Sequence, residues 1–276
     1  MRKLVLICLS LTALFISCSD NIGPDDKKDL GLDSGYEQKM VGMQFTSVGC
    51  TYCPILAATL KEIEKDYPGR IIPVAFHLDF GGFEDPMALP ISEKLYGRVA
   101  TGNGLPLFAM NFRKSSEHIV NEYVKIVSEL NLQAEKYPAV CGIAAECTYD
   151  EGQGKIEGRA RFKSDVEAEY RYHIMLVEDG IHYDQVGTDS DDYIHDNVLR
   201  AMAGDNVLGV TLNSGDKLVP GKEYEAVKSF KVSEEWNTAN LRVVAAMLKA
   251  EGGGNYCSNN AVVCGLGQSV DYSYVK

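Results

Sequence analysis

The sequence predicts an α/β domain with parallel strands, followed by an all-β, sandwich-like domain. Between residues 39 and 136, apolar runs of strand length alternate with helical patterns, which is typical of a parallel sheet covered by helices. After residue 137, short alternating segments are separated by turn sequences, which is typical of an antiparallel sandwich. The length of 276 residues suits two domains, and 45% hydrophobic residues allow a sizeable core.

The N-terminus has the pattern of an export signal over residues 1–17. Arg2 and Lys3 precede an apolar run that ends at Ile16 and is too short for a comfortable membrane span. A small residue followed by Cys18 resembles a bacterial lipoprotein signal, so cleavage there would leave Cys18 as the lipidated N-terminus. An ordinary signal peptide with an incidental cysteine is the alternative. Residues 18–38 are predicted to form an acidic, flexible tether.

The charge of the chain restricts its partners. Loss of residues 1–17, which contain two basic and no acidic residues, changes the formal net charge from −12 to −14. Such a protein is not expected to bind nucleic acid or anionic lipid by electrostatic attraction. Membrane attachment would come from the acyl chains on Cys18. Ser19 in place of Asp resembles the signals that permit sorting to the outer membrane, and either face of that membrane is possible.

The elements of the α/β domain follow from apolar periodicity and from turn residues. Pro68-Gly69 ends the first helix, and Gly102-Asn103-Gly104 marks a turn before the last strand. Ser115 or Ser116 is the predicted N-cap of the last helix. The predicted strands are 39–46, 71–76 and 107–110, and the predicted helices are 51–67, 86–99 and 116–133.

A Cys-x-x-Cys sequence, Cys50 to Cys53, lies where the first strand turns into the first helix. The positive end of a helix dipole stabilises a thiolate, and thiol pKa values at such positions fall to roughly 3.5–7.5. Cys50 would therefore be the nucleophile, and Cys53 would resolve a mixed disulfide. A structural disulfide or half of a metal site is the alternative. Zinc is disfavoured because no second cysteine pair has suitable spacing.

This arrangement resembles the thioredoxin fold, in which a cis-proline before a later strand faces the disulfide. The matching residue is Pro106, after Leu105. The alternative is that Pro106 only starts a strand. Two features depart from that fold. Gly49 replaces the tryptophan that commonly precedes the first cysteine, and the edge strand expected between Asn111 and Ser115 is short or missing.

The second domain is predicted to contain several short strands and one helix. The helix runs from about Asp192 to Ala203, with Gly204 as its cap. The predicted strands are 139–149, 155–164, 168–177, 181–186, 222–232 and 241–249.

Four further cysteines lie in this second domain: Cys141, Cys147, Cys257 and Cys264. We expect at least one structural disulfide among them and leave the pairing open, with free buried thiols as the alternative. Cys257 and Cys264 flank Ser258-Asn259-Asn260, a turn sequence, and could close a hairpin.

Acidic residues and a histidine cluster between residues 184 and 195. We interpret the acidic residues as the N-terminus of the predicted helix rather than as metal ligands, because no spacing typical of zinc or calcium is present. His77 could approach the edge of the sheet near Cys50, although an ordinary half-buried histidine is the preferred interpretation. The cluster consists of Asp184, Asp189, Asp191, Asp192 and His195.

The mature chain resembles the twenty-eight-kilodalton outer membrane lipoprotein family of Bacteroidetes. The features that carry the resemblance are the lipoprotein start, Gly49 to Pro54, Gly104-Leu105-Pro106, Tyr193 to Arg200, and Trp236 followed by Leu241 to Ala246. Membership implies a thioredoxin-like domain and a β-rich domain on an outer-membrane anchor. It does not imply a settled reaction.

Two functions are therefore considered. The first is thiol–disulfide exchange with envelope or surface proteins, in which Cys50 and Cys53 react, Pro106 shapes the substrate groove and no cofactor is required. The second is non-enzymatic binding or adhesion at the surface, with a stable Cys50–Cys53 disulfide. A buried Cys50 favours the second function, and an accessible sulfur favours the first.

Overall fold

The computed structural model describes residues 35–115, 122–190 and 192–275. These residues belong to one compact unit. The predicted signal peptide, Cys18 and most of the predicted tether lie outside them. In the described part, no helix has the length and apolar character needed to cross a membrane. The fold is mostly β-sheet with few helices, as expected for a β-rich protein.

The N-terminal half contains three strands and three helices. Strands β1 and β2 are connected by helix α1 and pair in parallel. Strand β3 pairs antiparallel with the other side of β1. As expected, the sheet has no strand beyond β3 among the described residues. The bounds are β1 Met40–Thr46, α1 Cys53–Asp66, β2 Ile71–His77, α2 Pro90–Val99, β3 Leu107–Met110 and α3 Tyr123–Lys136.

The C-terminal half contains the remaining strands. Eight strands, in the order β13-β12-β6-β9-β2-β1-β3 with β10 beside β6, form one mixed sheet. A smaller sheet has the order β11-β5-β4-β14, and β7 pairs with β8. The bounds are β4 Cys141–Asp150, β5 Lys155–Ser164, β6 Tyr170–Glu178, β7 Ile181–His182, β8 Ile194–His195, β9 Val198–Met202, β10 Val210–Thr211, β11 Tyr224–Lys231, β12 Leu241–Ala250, β13 Tyr256–Gly265 and β14 Ser269–Val270.

Side-chain alternation along β12 shows how the layers are arranged. Val243 and Ala245 face the small sheet, whereas Val244 and Ala246 face the opposite side with the core beneath α2. Helices α1 and α3 pack on the β1–β3 end through Leu56, Leu60 and Ile126. The small sheet and these two helices therefore cover one face of the large sheet, and α2 covers the other face.

The predicted boundary between residues 136 and 137 does not divide the sheets. Strand β9 joins the two halves by pairing with β2, at Ala75 and Val198, and with β6. This pairing joins β2 to β9 at one residue pair, so the two predicted domains share one continuous sheet. Strand alternation along the chain cannot reveal a pairing between residues so far apart in sequence.

The helix predicted between Asp192 and Ala203 is wrong. Residues 194–195 and 198–202 form β8 and β9, with a left-handed residue, Asn197 (φ 63°), between them. Pairing with β2 and β6 overrides the local helical pattern. The acidic residues therefore do not begin a helix, whereas the absence of zinc or calcium ligand spacing is unaffected by this correction.

Three other local predictions are corrected. The tether ends earlier than residue 38, because Tyr36 is buried, stacks on Tyr274 and forms a β-bridge with it. Helix α3 begins at Tyr123, so Ser115 does not cap it, and Ser116 lies outside the described residues. The strand predicted over 181–186 consists only of Ile181–His182.

The disulfide expected among the four C-terminal cysteines is absent. Cys141, Cys147, Cys257 and Cys264 are all free and buried. The turn predicted between the last two is instead the interior of β13, where Asn259 and Asn260 are buried and hydrogen-bond to neighbouring backbone. Cys257 and Cys264 therefore lie on one extended strand, too far apart to pair.

Candidate functional site

The Cys-x-x-Cys sequence forms a disulfide at the start of α1. The chain turns tightly after β1, with hydrogen bonds from the Cys50 amide to Ser47 and from the Cys53 amide to Cys50. Pro54 lies in the first turn of the helix, where a missing N–H costs little. Cys50 and Cys53 are bonded, with their Cα atoms 5.4 Å apart.

The disulfide is covered by protein. Cys50 is 2% exposed and Cys53 is 1% exposed, whereas Tyr52 between them is 61% exposed. A reactive cysteine normally has an accessible sulfur in an electropositive setting. The turn therefore presents an aromatic side chain to solvent and keeps its two sulfur-bearing residues inside.

Residues 185–187, which we call the cover segment, close one side of this turn. The side-chain amide of Gln185 donates to the backbone carbonyls of Ser47, Val48 and Cys50, at 3.0–3.2 Å. The Val186 amide donates to Val48 at 2.9 Å. Gly187 has φ +88°, and a Cβ there would lie 2.3 Å from the Thr51 carbonyl oxygen. Only glycine permits this approach without displacement of backbone.

Residues 80–83 close another side of the turn. The backbone amides of Phe80 and Phe83 each donate a hydrogen bond to the other's carbonyl, across a narrow loop formed by Gly81 and Gly82. A Cβ on Gly49 would lie 2.6 Å from the Phe83 ring and 2.8 Å from the Phe80 carbonyl oxygen. Phe83 therefore occupies the space that any side chain at position 49 would need, which explains physically why glycine stands there.

A buried, hydrogen-bonded pair of side chains lies beside the disulfide turn. His77 Nδ1 is 2.8 Å from Asp85 Oδ2, and both side chains are almost fully buried. Asp85 also accepts from the amides of Val48 and Met87, each at 2.9 Å. Burial acts to raise the pKa of Asp85, but the hydrogen bonds and charge of His77, with the two amides, outweigh it and hold the pKa below its usual value.

His195 completes this polar group. Its ring packs against His77 with centroids 5.3 Å apart and against Tyr193 at 4.7 Å. Burial, and then the neighbouring His77, lower the pKa of His195 to about 4, so it is neutral at pH 7. Cys53, His77 and His195 line a shared cavity of about 20 Å³, large enough for one water molecule.

Pro106 has the cis peptide bond that the sequence predicts. It is buried directly before β3, and Leu105 is half-buried. The preceding loop is held by the Tyr96 hydroxyl, which donates to Gly104 at 3.0 Å and accepts from its amide at 2.9 Å. The cis bond is confirmed, and a role in substrate binding stays a prediction.

Large apolar side chains are exposed at the disulfide turn, on the two segments that close it, and at Ile194 of β8. We call this set the apolar rim. Acidic residues alternate with it along the chain, among them Asp79, Glu84, Asp184 and Asp189, all exposed. The rim consists of Tyr52, Ile55, Phe80, Phe83, Tyr183, Val186 and Ile194.

Sequence analysis missed several residues of this site. Asp85 and Gln185 have no recognisable motif, because their importance comes from backbone groups that lie far away in sequence. His77 was interpreted as an ordinary half-buried histidine, but it is fully buried and paired with Asp85. His195 belongs to this buried polar group and not to the acidic cluster. Asp192 of that cluster pairs with His182 at 2.8 Å, and no group of three potential metal ligands comes together among the described residues.

Comparison with known families places these observations in context. The model of the family described as outer membrane protein Omp28 matches residues 94–262, more than half of the chain. The chain belongs to the Omp28 family. The match begins after Cys50 and Cys53 and includes Pro106, His195 and the cover segment. The family resemblance seen in the sequence is thereby confirmed.

Solved structures are similar in fold to this Omp28-family chain. HBP35 of Porphyromonas gingivalis has a TM-score of 0.68 and 17% identity, covering 84% of this chain and 76% of its own. Protein AGR_C_4864 from Agrobacterium tumefaciens has a TM-score of 0.56 and 14% identity, covering 87% and 99%. No curated protein sequence matches the chain. At these identities the similarity concerns the fold alone.

Two C-terminal sequence patterns of the Omp28 resemblance meet in space. Arg200, from the first pattern, donates to the buried Glu178 at 2.6 Å and lies over the Trp236 ring of the second. Glu178 also accepts from the Asn237 amide at 2.7 Å. These residues are remote from the disulfide turn in sequence, and they fix the strand β9 that joins the two halves of the sheet.

Proposed function

We propose that this protein is an outer-membrane lipoprotein, anchored through Cys18, that binds another envelope or surface protein through the apolar rim. The Cys50–Cys53 disulfide acts as a structural cross-link beneath that surface. The observation that carries the proposal is the burial of both cysteines in a turn whose own Tyr52, and whose covering segments, expose aromatic and aliphatic side chains. Membership of an outer membrane protein family supports the location.

The composition of the rim supports a protein partner. Exposed tyrosine and phenylalanine are typical of protein interfaces, because rigid rings give a large contact area at low entropic cost. Clustered exposed apolar side chains mark interaction sites on soluble surfaces. The acidic residues that alternate with the rim favour a partner segment that carries lysine or arginine among apolar residues.

The disulfide has a clear structural task in this proposal. Tyr52 is held between two linked cysteines, and the cover segment and the Phe80–Phe83 loop both pack against the same turn. A covalent link at this point limits the conformations of all three segments. Binding to a rigid surface loses less conformational entropy than binding to a mobile one.

Thiol–disulfide exchange is the second candidate function. A disulfide at a helix start, Pro106 directly before β3 and the parallel β1–α1–β2 unit together support a thioredoxin-like site. Starting from the disulfide of this structure, a substrate thiolate attacks Cys50, forms a mixed disulfide and releases the Cys53 thiolate. A second substrate thiolate then attacks the substrate sulfur of the mixed disulfide, forms a substrate disulfide and releases the Cys50 thiolate. The cover segment would have to move first.

The reduction potential distinguishes these functions. We would equilibrate the protein lacking residues 1–18 in glutathione buffers and trap thiols by alkylation, with Cys50→Ser as control. We expect a potential below about −300 mV, or thiols that react only after denaturation, as for structural disulfides. A potential between about −270 and −120 mV lies in the range of thiol–disulfide catalysts and would favour exchange.

The binding surface is tested separately in cells. A photo-crosslinking amino acid at Tyr183 should give a discrete protein adduct, and the same residue at Val227, exposed on the small sheet, should not. The double variant Tyr52→Ala/Phe83→Ala should remove the Tyr183 adduct while the thermal midpoint is retained. Equal adducts at both positions, or an adduct unaffected by the double variant, would overturn the proposed surface.

A further inference from the structure

A second site lies away from the disulfide, in a cleft of about 940 Å³. Its walls come from the end of α2, the chain after β3, the C-terminal half of α3 and the β12–β13 turn. Clefts of about 300–1,000 Å³ are the usual size for small-molecule binding. The large opening between four separate segments is not explained by the proposed role of the apolar rim.

Most charged groups of the cleft are already engaged. Arg98 donates to the carbonyls of Val207 and Tyr256. Arg113 forms a two-point ion pair with Glu251, and its guanidinium lies 3.5 Å from the centre of the Tyr137 ring. These contacts shape the walls and leave little of their charge for a ligand.

The remaining charges favour an anion. Within the described residues, Lys114 and Lys136 of the cleft form no ion pair, and Glu135 is the one acidic lining residue without a partner. The cleft therefore has two unpaired lysines against one unpartnered carboxylate.

The cleft also offers apolar surface. Leu132 is 57% exposed at the edge of the cleft, and the rings of Phe112 and Tyr137 line the cleft walls. Cys257 is 6% exposed and is the cleft's free thiol, whereas the other three free cysteines are at most 1% exposed. This thiol provides a local reporter of occupancy.

We propose that this cleft binds a small organic anion, with its carboxylate or phosphate held by Lys114 and Lys136 and its apolar body against Tyr137 and Leu132. The anion supplies acceptor oxygens to groups that have none. The apolar body covers side chains that are otherwise exposed to water.

The test uses benzoate, phenyl phosphate and the cation benzamidine in calorimetric titrations of the protein lacking residues 1–18. We expect the two anions to bind and benzamidine not to bind. Comparison of the anions distinguishes a carboxylate from a phosphate ligand. Lys114→Glu and Lys136→Glu should each weaken anion binding about fivefold or more, while Lys231→Glu on the small sheet should not change it.

A second measurement locates the bound anion. Alkylation of Cys257 by iodoacetamide in the native protein should slow when the tighter anion is present, and alkylation of a Cys257→Ser variant sets the background. Binding of benzamidine with equal affinity, no binding of either anion, or unchanged binding in both lysine variants would overturn the proposal. These outcomes leave the proposed function of the rim unaffected.

Discussion

The side-chain amide of Gln185 donates a hydrogen bond of 3.0 Å to the backbone carbonyl of Cys50, across 135 residues of sequence. The same nitrogen lies 3.2 Å from the carbonyls of Ser47 and Val48. One buried side-chain amide thus hydrogen-bonds to three backbone carbonyls of the turn that carries the disulfide. Access to the sulfur atoms therefore depends on contacts made by the C-terminal half.

Gln185→Ala should make the disulfide easier to reduce. Loss of these hydrogen bonds leaves buried carbonyls without a donor and costs about 1–3 kcal/mol, which should raise the population of open turn about tenfold. The rate of Cys50–Cys53 reduction by a phosphine in native buffer measures this. Gln153→Ala, in an exposed turn, is the control, and equal rates in both variants would contradict the role of Gln185.

Gly187→Ala should destabilise the protein through a contact with Thr51. The new Cβ would meet the Thr51 carbonyl at 2.3 Å, in addition to the strain of a left-handed residue at φ +88°. Gly215→Ala is a matched control, because Gly215 has φ +94° with open space around it. We expect Gly187→Ala to cost about 1–3 kcal/mol more in urea unfolding than Gly215→Ala.

Arg200→Ala should strongly destabilise the shared sheet. Glu178 is 2% exposed, and removal of its cation leaves a buried carboxylate that costs about 3–5 kcal/mol. Arg159→Ala is the control, because Arg159 pairs with Glu225 at the surface. This substitution should lower the free energy of unfolding by less than about 1 kcal/mol. A similar loss in both variants, measured by urea unfolding, would show that the Glu178 pair is not important.

Stability should fall as the pH is lowered from 7 towards 4. The pKa of His195 is lowered to about 4 by burial, whereas an unfolded histidine titrates near 6.5. The unfolded chain therefore binds the proton first, and the contribution of His195 is full above pH 6.5 and is lost as the pH falls to its folded pKa. Burial lowers the pKa of His173 to about 3, which acts in the same direction.

The His195 contribution can be isolated by substitution. His195→Gln should reduce the stability difference between pH 7 and pH 5 by about 2 kcal/mol. His182→Gln, at an exposed histidine, is the control. It should reduce the stability difference between pH 7 and pH 5 less than His195→Gln does. Urea midpoints at the two pH values measure both, and an unchanged difference in His195→Gln would contradict this assignment.

Local patterns in the sequence predict much of the fold. Helix α1, helix α2 and the strands around them follow from apolar periodicity, whereas the cis bond of Pro106 is implied by the resemblance to the thioredoxin fold. Strands β4, β5, β11 and β12 are also found close to their predicted positions. In these segments, local preference and tertiary pairing favour the same structure.

The errors occur where distant contacts decide the structure. Residues 198–202 have a helical pattern, but pairing with β2 and β6 makes them a strand. Ser258-Asn259-Asn260 resembles a turn, but the asparagine side chains satisfy neighbouring backbone groups inside a sheet. The disulfide was found from its spacing, whereas its cover by Gln185 and Phe83 depends on segments that no local pattern connects to it.

The parallel pairing of Ala75 with Val198 also sets how this protein can be divided. If residues 39–136 were expressed alone, the outer edge of β2 would lose its neighbour and present unpaired backbone groups on an apolar strand. Such an edge promotes association between chains. We therefore expect that residues 39–136 cannot be transferred to another protein by themselves. A chimeric protein that contains them must also supply a strand that pairs with β2 in place of β9.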